Sequence, residues 1–220
     1  MSRAGTRTDR GKQNRAAILA AAAGLFAEHG YRGTSLATIA AVVDLSQQGV
    51  LHYFPSKAAL LLALLDEKYQ EDGRLLSASP EHDGLDMLKA LQALVEHNAA
   101  VPDRVRLFSA LTTESVSSGH PAHTYFVQRY RKVRERLISS LQVGQQRGQV
   151  RGDIDLERLV QLIVAVMDGL QIQWLLDEQV DMVASFSLLA SLLKESLGAE
   201  WPARALDGRT DSRPKRRTRA

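Results

Sequence analysis

Apolar residues recur three and four positions apart through almost all of this 220-residue chain, and no segment alternates apolar and polar residues with period two. Such spacing puts apolar side chains on one face of a helix and scatters them over both faces of a strand. Glycine gathers at the apparent ends of elements, and proline is sparse. The pattern predicts an all-α fold of about nine helices.

Helix signals divide the chain. A first helix is expected from about Lys12 to His29, with Ile18, Leu19, Ala22, Leu25 and Phe26 on one face and Gly30 as its stop. A short second helix follows Thr34 or Ser35, either of which can cap it, and buries Leu36, Ile39, Ala40 and Val43. A third starts after Ser46 and runs to about Phe54, where Pro55 ends it. Ser56 then caps a long fourth helix carrying Leu60, Leu61, Leu64 and Leu65. Five more are expected at about 84–100, 102–117, 121–147, 155–177 and 181–197, with Pro102 and Pro121 in first turns. Residues 1–11 read as a flexible arm. Residues 199–220 read as a disordered basic tail, because they have few apolar groups to bury.

Composition narrows the function. The chain has no cysteine, which excludes disulfides, thiolate zinc sites and cysteine nucleophiles. No uninterrupted apolar run approaches the ~18–20 residues of a membrane span, and the N-terminus lacks the apolar core of a secretory signal. A cytoplasmic protein without a membrane partner is expected. The net charge is only +3, but its distribution is uneven. Residues 1–57 hold seven basic against three acidic side chains, residues 199–220 repeat that balance, and the stretch between is acidic. A basic head on an acidic body suits a head that meets phosphates; basic ends that are merely solvated would look the same.

The chemistry concentrates between Gly33 and Lys57. Two short helices joined by about four residues, Val43 to Ser46, would meet at a steep angle, and the second could enter a DNA major groove. On it Val50 and Phe54 are spaced i, i+4 and point to the core. Gln47, Gln48, His52 and Tyr53 are left outside, and Gly49 lets the backbone come close to a docked partner. Glutamine can pair with adenine or another base edge, while His52 and Tyr53 can bond phosphates. Lys57, at the start of a helix, reads as a phosphate anchor.

The run Ile18-Leu19…Ala22…Leu25-Phe26…Gly30-Tyr31…Thr34-Ser35…Ile39-Ala40…Ser46…Gly49…Leu51-His52-Tyr53-Phe54…Ser56-Lys57…Leu60 closely resembles the N-terminal signature of TetR-type transcriptional regulators. The match covers residues 12–65 or so. The resemblance implies a three-helix DNA-binding head over residues 12–57 and a ligand-binding and dimerisation body over 58–198. Carried over by position, it puts Gln47, Gln48, Gly49, His52, Tyr53 and Lys57 at DNA, with Ser35 near a phosphate and Ser46 at the start of the reading helix. Two positions depart from the pattern. Asp44 stands where the turn often has glycine, and Asp tolerates the left-handed conformation better than most residues. Ala37 stands where some relatives place an arginine against a base, so specificity should rest on the third helix.

The resemblance further implies a homodimer on a palindromic or near-palindromic double-stranded operator, with the last two helices of each copy forming a four-helix bundle. Leu159, Leu162, Ile163, Val166, Leu170, Phe186, Leu189 and Leu193 are the expected interface; the competing expectation is that those faces complete the monomer core. A small apolar or amphipathic ligand would bind among Met87, Leu91, Phe108, Leu111, Tyr125, Phe126, Met167, Gln171 and Trp174, with His97 and Asp168 as polar handles. These side chains could instead be core. Asp168 could meet a ligand, pair with a buried arginine or face solvent near a twofold axis. His120 and His123 make a poor metal site without a carboxylate or thiol nearby, so neither metal nor cofactor is expected. The function read from the sequence is a ligand-released homodimeric repressor. A regulator without ligand control is the alternative. A helical enzyme is the remote one, since no catalytic ordering of side chains supports it.

Overall fold

The structure, a computed structural model, describes residues 4–77 and 84–198. The expected basic tail, 199–220, lies outside the described residues. Among the described residues the chain forms nine α-helices, one 3-10 turn and no strand. In chain order these are α1 (Ala4–Gly33), α2 (Leu36–Val42), α3 (Gln47–Tyr53), α4 (Lys57–Ser77), the 3-10 turn Gly84–Asp86, α5 (Met87–Ala99), α6 (Pro102–Glu114), α7 (His123–Gln146), α8 (Leu156–Leu176) and α9 (Met182–Leu197).

Caps set most of the boundaries. The hydroxyls of Ser35 and Ser46 accept from the Thr38 and Gly49 amides at the starts of α2 and α3. Ser56 does the same for Ala59 in α4, and Asp155 and Asp181 cap α8 and α9. One expectation is corrected. Residues from Ala4 on are helical, so α1 begins well before Lys12 and most of the supposed arm belongs to it. Gly30 does break the helix, with φ 71°, and one further helical turn follows it to Gly33.

Two hydrophobic cores hold the molecule. The first gathers Ile18, Leu19, Ala22 and Phe26 of α1, Ile39, Ala40, Val50 and Phe54, and Leu60, Leu61, Leu64 and Leu65 of α4. It also takes Leu107 and Leu111 of α6 with Ala122 and Phe126 at the start of α7. The second is built from α5, α7, α8 and α9 around Leu141, Val160, Ile163, Met182 and Phe186. Where α7 crosses the 3-10 turn there is no room for a side chain: a Cβ on Gly144 would lie 2.6 Å from the Gly84 Cα. The Arg151 amide donates to the Leu197 carbonyl, tying the chain after α7 to the end of α9. Helix α8 is 21 residues long with mean hydropathy 1.6, apolar and long enough to cross a membrane by length and composition.

Candidate nucleic-acid interface

Helices α2 and α3 are joined by Val43–Ser46, as the sequence predicts, and Asp44 takes the left-handed conformation there with φ 52°. Only seven residues long each, neither helix is stable in isolation. Ile39, Ala40, Val50 and Phe54 are buried and fix both against α1 and α4. That leaves a defined outer surface. Gln47, Gln48 and His52 are exposed, Tyr53 is half-buried, and the His52 and Tyr53 rings meet edge to face at 5.4 Å. A Cβ on Gly49 would meet Ser46 Oγ at 3.4 Å, near ordinary contact, so little inside the fold demands glycine there. Ser35 and Ser46 spend their oxygens on capping but remain exposed.

Tyr53 has a partner that no local sequence pattern reveals. Its hydroxyl oxygen accepts from the Asn14 side-chain amide at 3.2 Å, which leaves the O–H proton available to donate. Lys57 departs from expectation. Its ammonium points inward, donating to the carbonyls of Tyr31 and Thr34 at 2.8 Å each and lying 4.2 Å from the Tyr31 ring centroid. Burial lowers its pKa, and the nearby Glu114 carboxylate opposes that shift. Instead of reaching for a phosphate, Lys57 fastens α4 to the connection between α1 and α2.

The same connection is held from the body. Both carboxylate oxygens of Glu114, the last residue of α6, accept from the Tyr31 amide at 3.1 and 3.2 Å. Gly30 serves this contact twice. Its φ suits glycine, and a Cβ there would sit 2.0 Å from Glu114 Oε1. Behind Glu114 lies His120, whose Nδ1 accepts from the Ala122 amide and pairs with the Ser115 hydroxyl. Its proton must then sit on Nε2, which is buried without a hydrogen-bond partner and 3.6 Å from Glu114 Oε2. Burial lowers the His120 pKa; Glu114 raises it, and Arg32 and Lys57 lower it further. His123 Nδ1 faces the Ser115 carbonyl at 2.8 Å. Both imidazoles therefore act within the turn between α6 and α7.

The body divides the expected pocket residues between the two cores. Phe108, Leu111, Tyr125 and Phe126 belong with the first, and the Tyr125 hydroxyl donates to the Leu65 carbonyl. Met87, Leu91, Met167 and Trp174 belong with the second. His97 Nε2 is 3.3 Å from an Arg104 guanidinium nitrogen, and Gln171 is buried. Asp168 accepts from the Tyr130 hydroxyl at 2.7 Å, bridging α7 and α8. Burial holds its carboxyl above the usual carboxylate range, against the opposing pull of Tyr130 and Arg129. Tyr130 is raised for the same first reason, and its neighbour Asp168 adds to the shift.

Two of the expected interface residues are core: Ile163 and Phe186 are essentially inaccessible. Leu159, Leu170, Leu189 and Leu193 are half-buried against the second core. Leu162 and Val166 do face out, and with them Leu188 and Leu192 of α9, which are 63% and 54% exposed. Periodicity alone missed Leu188, because α9 is apolar around most of its circumference.

A head of this geometry on a helical body defines a class of DNA-binding regulator, and the comparisons with known proteins agree. Residues 18–64 match the model for bacterial regulatory proteins of the tetR family, and residues 86–198 match the C-terminal model for BetI-type transcriptional repressors. The HTH-type transcriptional regulator TtgR of Pseudomonas putida is 28% identical over 179 residues, covering 78% of this chain and 85% of that protein. Among solved structures, a TetR transcriptional regulator from Chloroflexus aurantiacus superposes with a TM-score of 0.74 at 23% identity, over 86% of this chain and 98% of that one. A transcriptional regulator from Saccharomonospora viridis in complex with choline gives 0.68 at 24% identity, over 84% and 96%. The chain belongs to the TetR family of DNA-binding transcriptional regulators. Its relatives are regulators of transcription and not enzymes.

Proposed function

We propose that the protein acts in the cytoplasm as a homodimeric repressor that binds a palindromic operator and leaves it when a small molecule binds the body. One observation carries the DNA-reading part. The exposed Gln47, Gln48 and His52, with the hydroxyl of Tyr53, form a polar surface on a helix that buries Val50 and, at its end, Phe54 in the first core. Gln47 and Gln48 read base edges, while Tyr53, Ser35 and Ser46 position the helix on phosphates. Gly49 allows the close approach. Two heads on a twofold operator would bind half-sites about one helical turn apart, ~34 Å.

The exposed Leu162, Val166, Leu188 and Leu192 supply the self-complementary apolar surface that a second copy would cover. Ligand control draws support from the related S. viridis structure that holds choline. Linkage then requires that a ligand preferring a state with misplaced heads weakens operator affinity by the same factor. A regulator without ligand control is the second reading, favoured by the division of the expected pocket residues between two packed cores.

The test is a mobility-shift titration on DNA flanking the gene, with Tyr53→Ala and Gln47→Ala/Gln48→Ala beside wild type. Tight, competitor-resistant binding by wild type, weakened in both variants, supports the reading. Equal binding to scrambled DNA overturns the specific part of it. Sedimentation of Leu162→Glu/Leu188→Glu tests the dimer: a dimeric wild type and a monomeric variant are expected.

A further inference from the structure

Between Asp9 and Ala17 of α1, Gly11 and Asn14 are half-buried and the other residues are exposed. Asn14 stands four positions before Ile18, the first core residue of the helix, and so on the same face. An apolar residue there would lengthen the core stripe. The chain has a carboxamide instead, and its Nδ2 donates to the Tyr53 hydroxyl oxygen, 39 residues along the sequence. The neighbouring Arg15 is engaged elsewhere, with its guanidinium 5.4 Å from the Phe54 ring centroid and 3.7 Å from the Glu67 carboxylate.

The Tyr53 ring is already held by other contacts. It packs against the first core and meets the His52 ring edge to face at 5.4 Å. Ring packing sets where the oxygen lies but not where its proton points. A phenolic O–H lies in the plane of the ring and can turn to either side of the C–O bond, leaving an acceptor lone pair on the side it vacates. An N–H that donates to the oxygen takes the lone pair on one side and sends the proton to the other. The polarity of the bond therefore matters. A donor at position 14 leaves Tyr53 a donor, whereas an acceptor at that position would consume its proton.

We infer that Asn14 is a positioning residue for operator binding, which keeps the Tyr53 hydroxyl as a donor for a DNA phosphate without touching DNA itself. The inference rests on Tyr53 meeting a phosphate, as proposed above. Phosphate oxygens accept, so a hydroxyl whose proton is already turned away from Asn14 is preorganised to meet one. Asn14 sets affinity through the polarity of one hydrogen bond and carries no sequence information.

The experiment is a double-mutant cycle in the full-length protein, on an operator selected from random sequences. Asn14→Ala and Asn14→Asp are each made in wild type and in Tyr53→Phe, and operator affinity and thermal midpoint are measured. Tyr53→Phe should lose about tenfold in affinity per head, the scale of a hydrogen bond to a charged group. Asn14→Ala should lose about threefold per head in wild type and nothing in the Tyr53→Phe background. Asn14→Asp keeps the tie to Tyr53 but reverses it. Its loss in the Tyr53→Phe background measures the added charge alone, and its loss in wild type should exceed that by about tenfold. Its thermal midpoint should be no lower than that of Asn14→Ala. A merely structural tie, which the carboxylate restores, would give no such excess. Three outcomes overturn the inference: no loss from Asn14→Ala in wild type, equal losses from it in both backgrounds, or no excess for Asn14→Asp. Failure of the underlying reading looks different, as Tyr53→Phe that binds like wild type or wild type that selects no operator, and the inference falls with it.

Discussion

In the head, polar side chains sit at helix ends or on one outer surface. Ser35, Ser46 and Ser56 cap, Gln47, Gln48 and His52 face out, and each role follows from position along a short helix. In the body, the notable polar groups are partly or wholly buried and meet partners far along the chain. Asp168 meets Tyr130 from another helix, and Glu114 meets the Tyr31 amide 83 residues away. Apart from Lys57 and the Asn14–Tyr53 pair, polar placement in the head is local and can be read from order and spacing. Placement in the body depends on which helices become neighbours. The two regions nevertheless share a core, since Leu107, Leu111, Ala122 and Phe126 pack with the head's own residues.

The sharpest way to break the comparison is Leu111→Ala. Leu111 belongs to α6 but is fully buried in the first core. Truncation should cost about 2–5 kcal/mol, and the head should unfold with the body in one urea transition followed by α3-sensitive probes. Two separate transitions would mean that the head folds independently. Gly30→Ala comes next. The left-handed backbone alone costs about 1–3 kcal/mol for a non-glycine residue, and the new Cβ must also displace Glu114. Lowered stability together with weakened operator binding is expected; full operator affinity would show that the Glu114 contact does not position the head.

Asp168 tests the body's buried polar placement. Asp168→Ala leaves the Tyr130 hydroxyl without its acceptor and should cost about 1–3 kcal/mol. Asp168→Asn keeps an acceptor and removes the buried charge, so its loss should be smaller. The sign of the pH effect follows from the raised carboxyl pKa. The native state holds this proton more tightly than the unfolded chain, so wild-type stability falls as pH rises from the ordinary carboxylate value through the raised one. Asp168→Asn should lack that fall in thermal melts, and an identical pH profile would refute the assignment. The smallest effect is at His120, whose lowered pKa gives the opposite sign. Its contribution is present above the ordinary imidazole pKa of 6.5 and declines as pH drops below it. His120→Asn, which keeps an acceptor for the Ala122 amide, should flatten that decline.

The difference between the regions also explains what the sequence disclosed. Helix order was legible throughout because 3.6-residue periodicity, serine caps and Pro55 are local signals. The turn at Asp44 and the inward placement of Val50 and Phe54 were legible for the same reason. The start of α1 was not: residues 4–17 carry no apolar side chain larger than alanine, so periodicity has nothing to detect there. Nor was the direction of Lys57, because its two acceptor carbonyls become neighbours only when α4 packs against α1. Ile163 and Phe186 looked like interface residues because an apolar face does not reveal whether its partner belongs to the same chain.

The shared first core bears on how such proteins can be recombined. A chimera cut at residue 57, where the helix-turn-helix ends, would graft a foreign surface beneath Ile18, Phe26 and Phe54, and would lose the Glu114 carboxylate that Gly30 makes room for. The portable unit is discontinuous. To move the head into another regulator, the first half of α4, the second half of α6 and the first turn of α7 must travel with it, or the recipient must already carry residues of matching shape there. If α3 reads DNA as proposed, specificity can be exchanged at its outer face, while the segment that bears it cannot be exchanged alone.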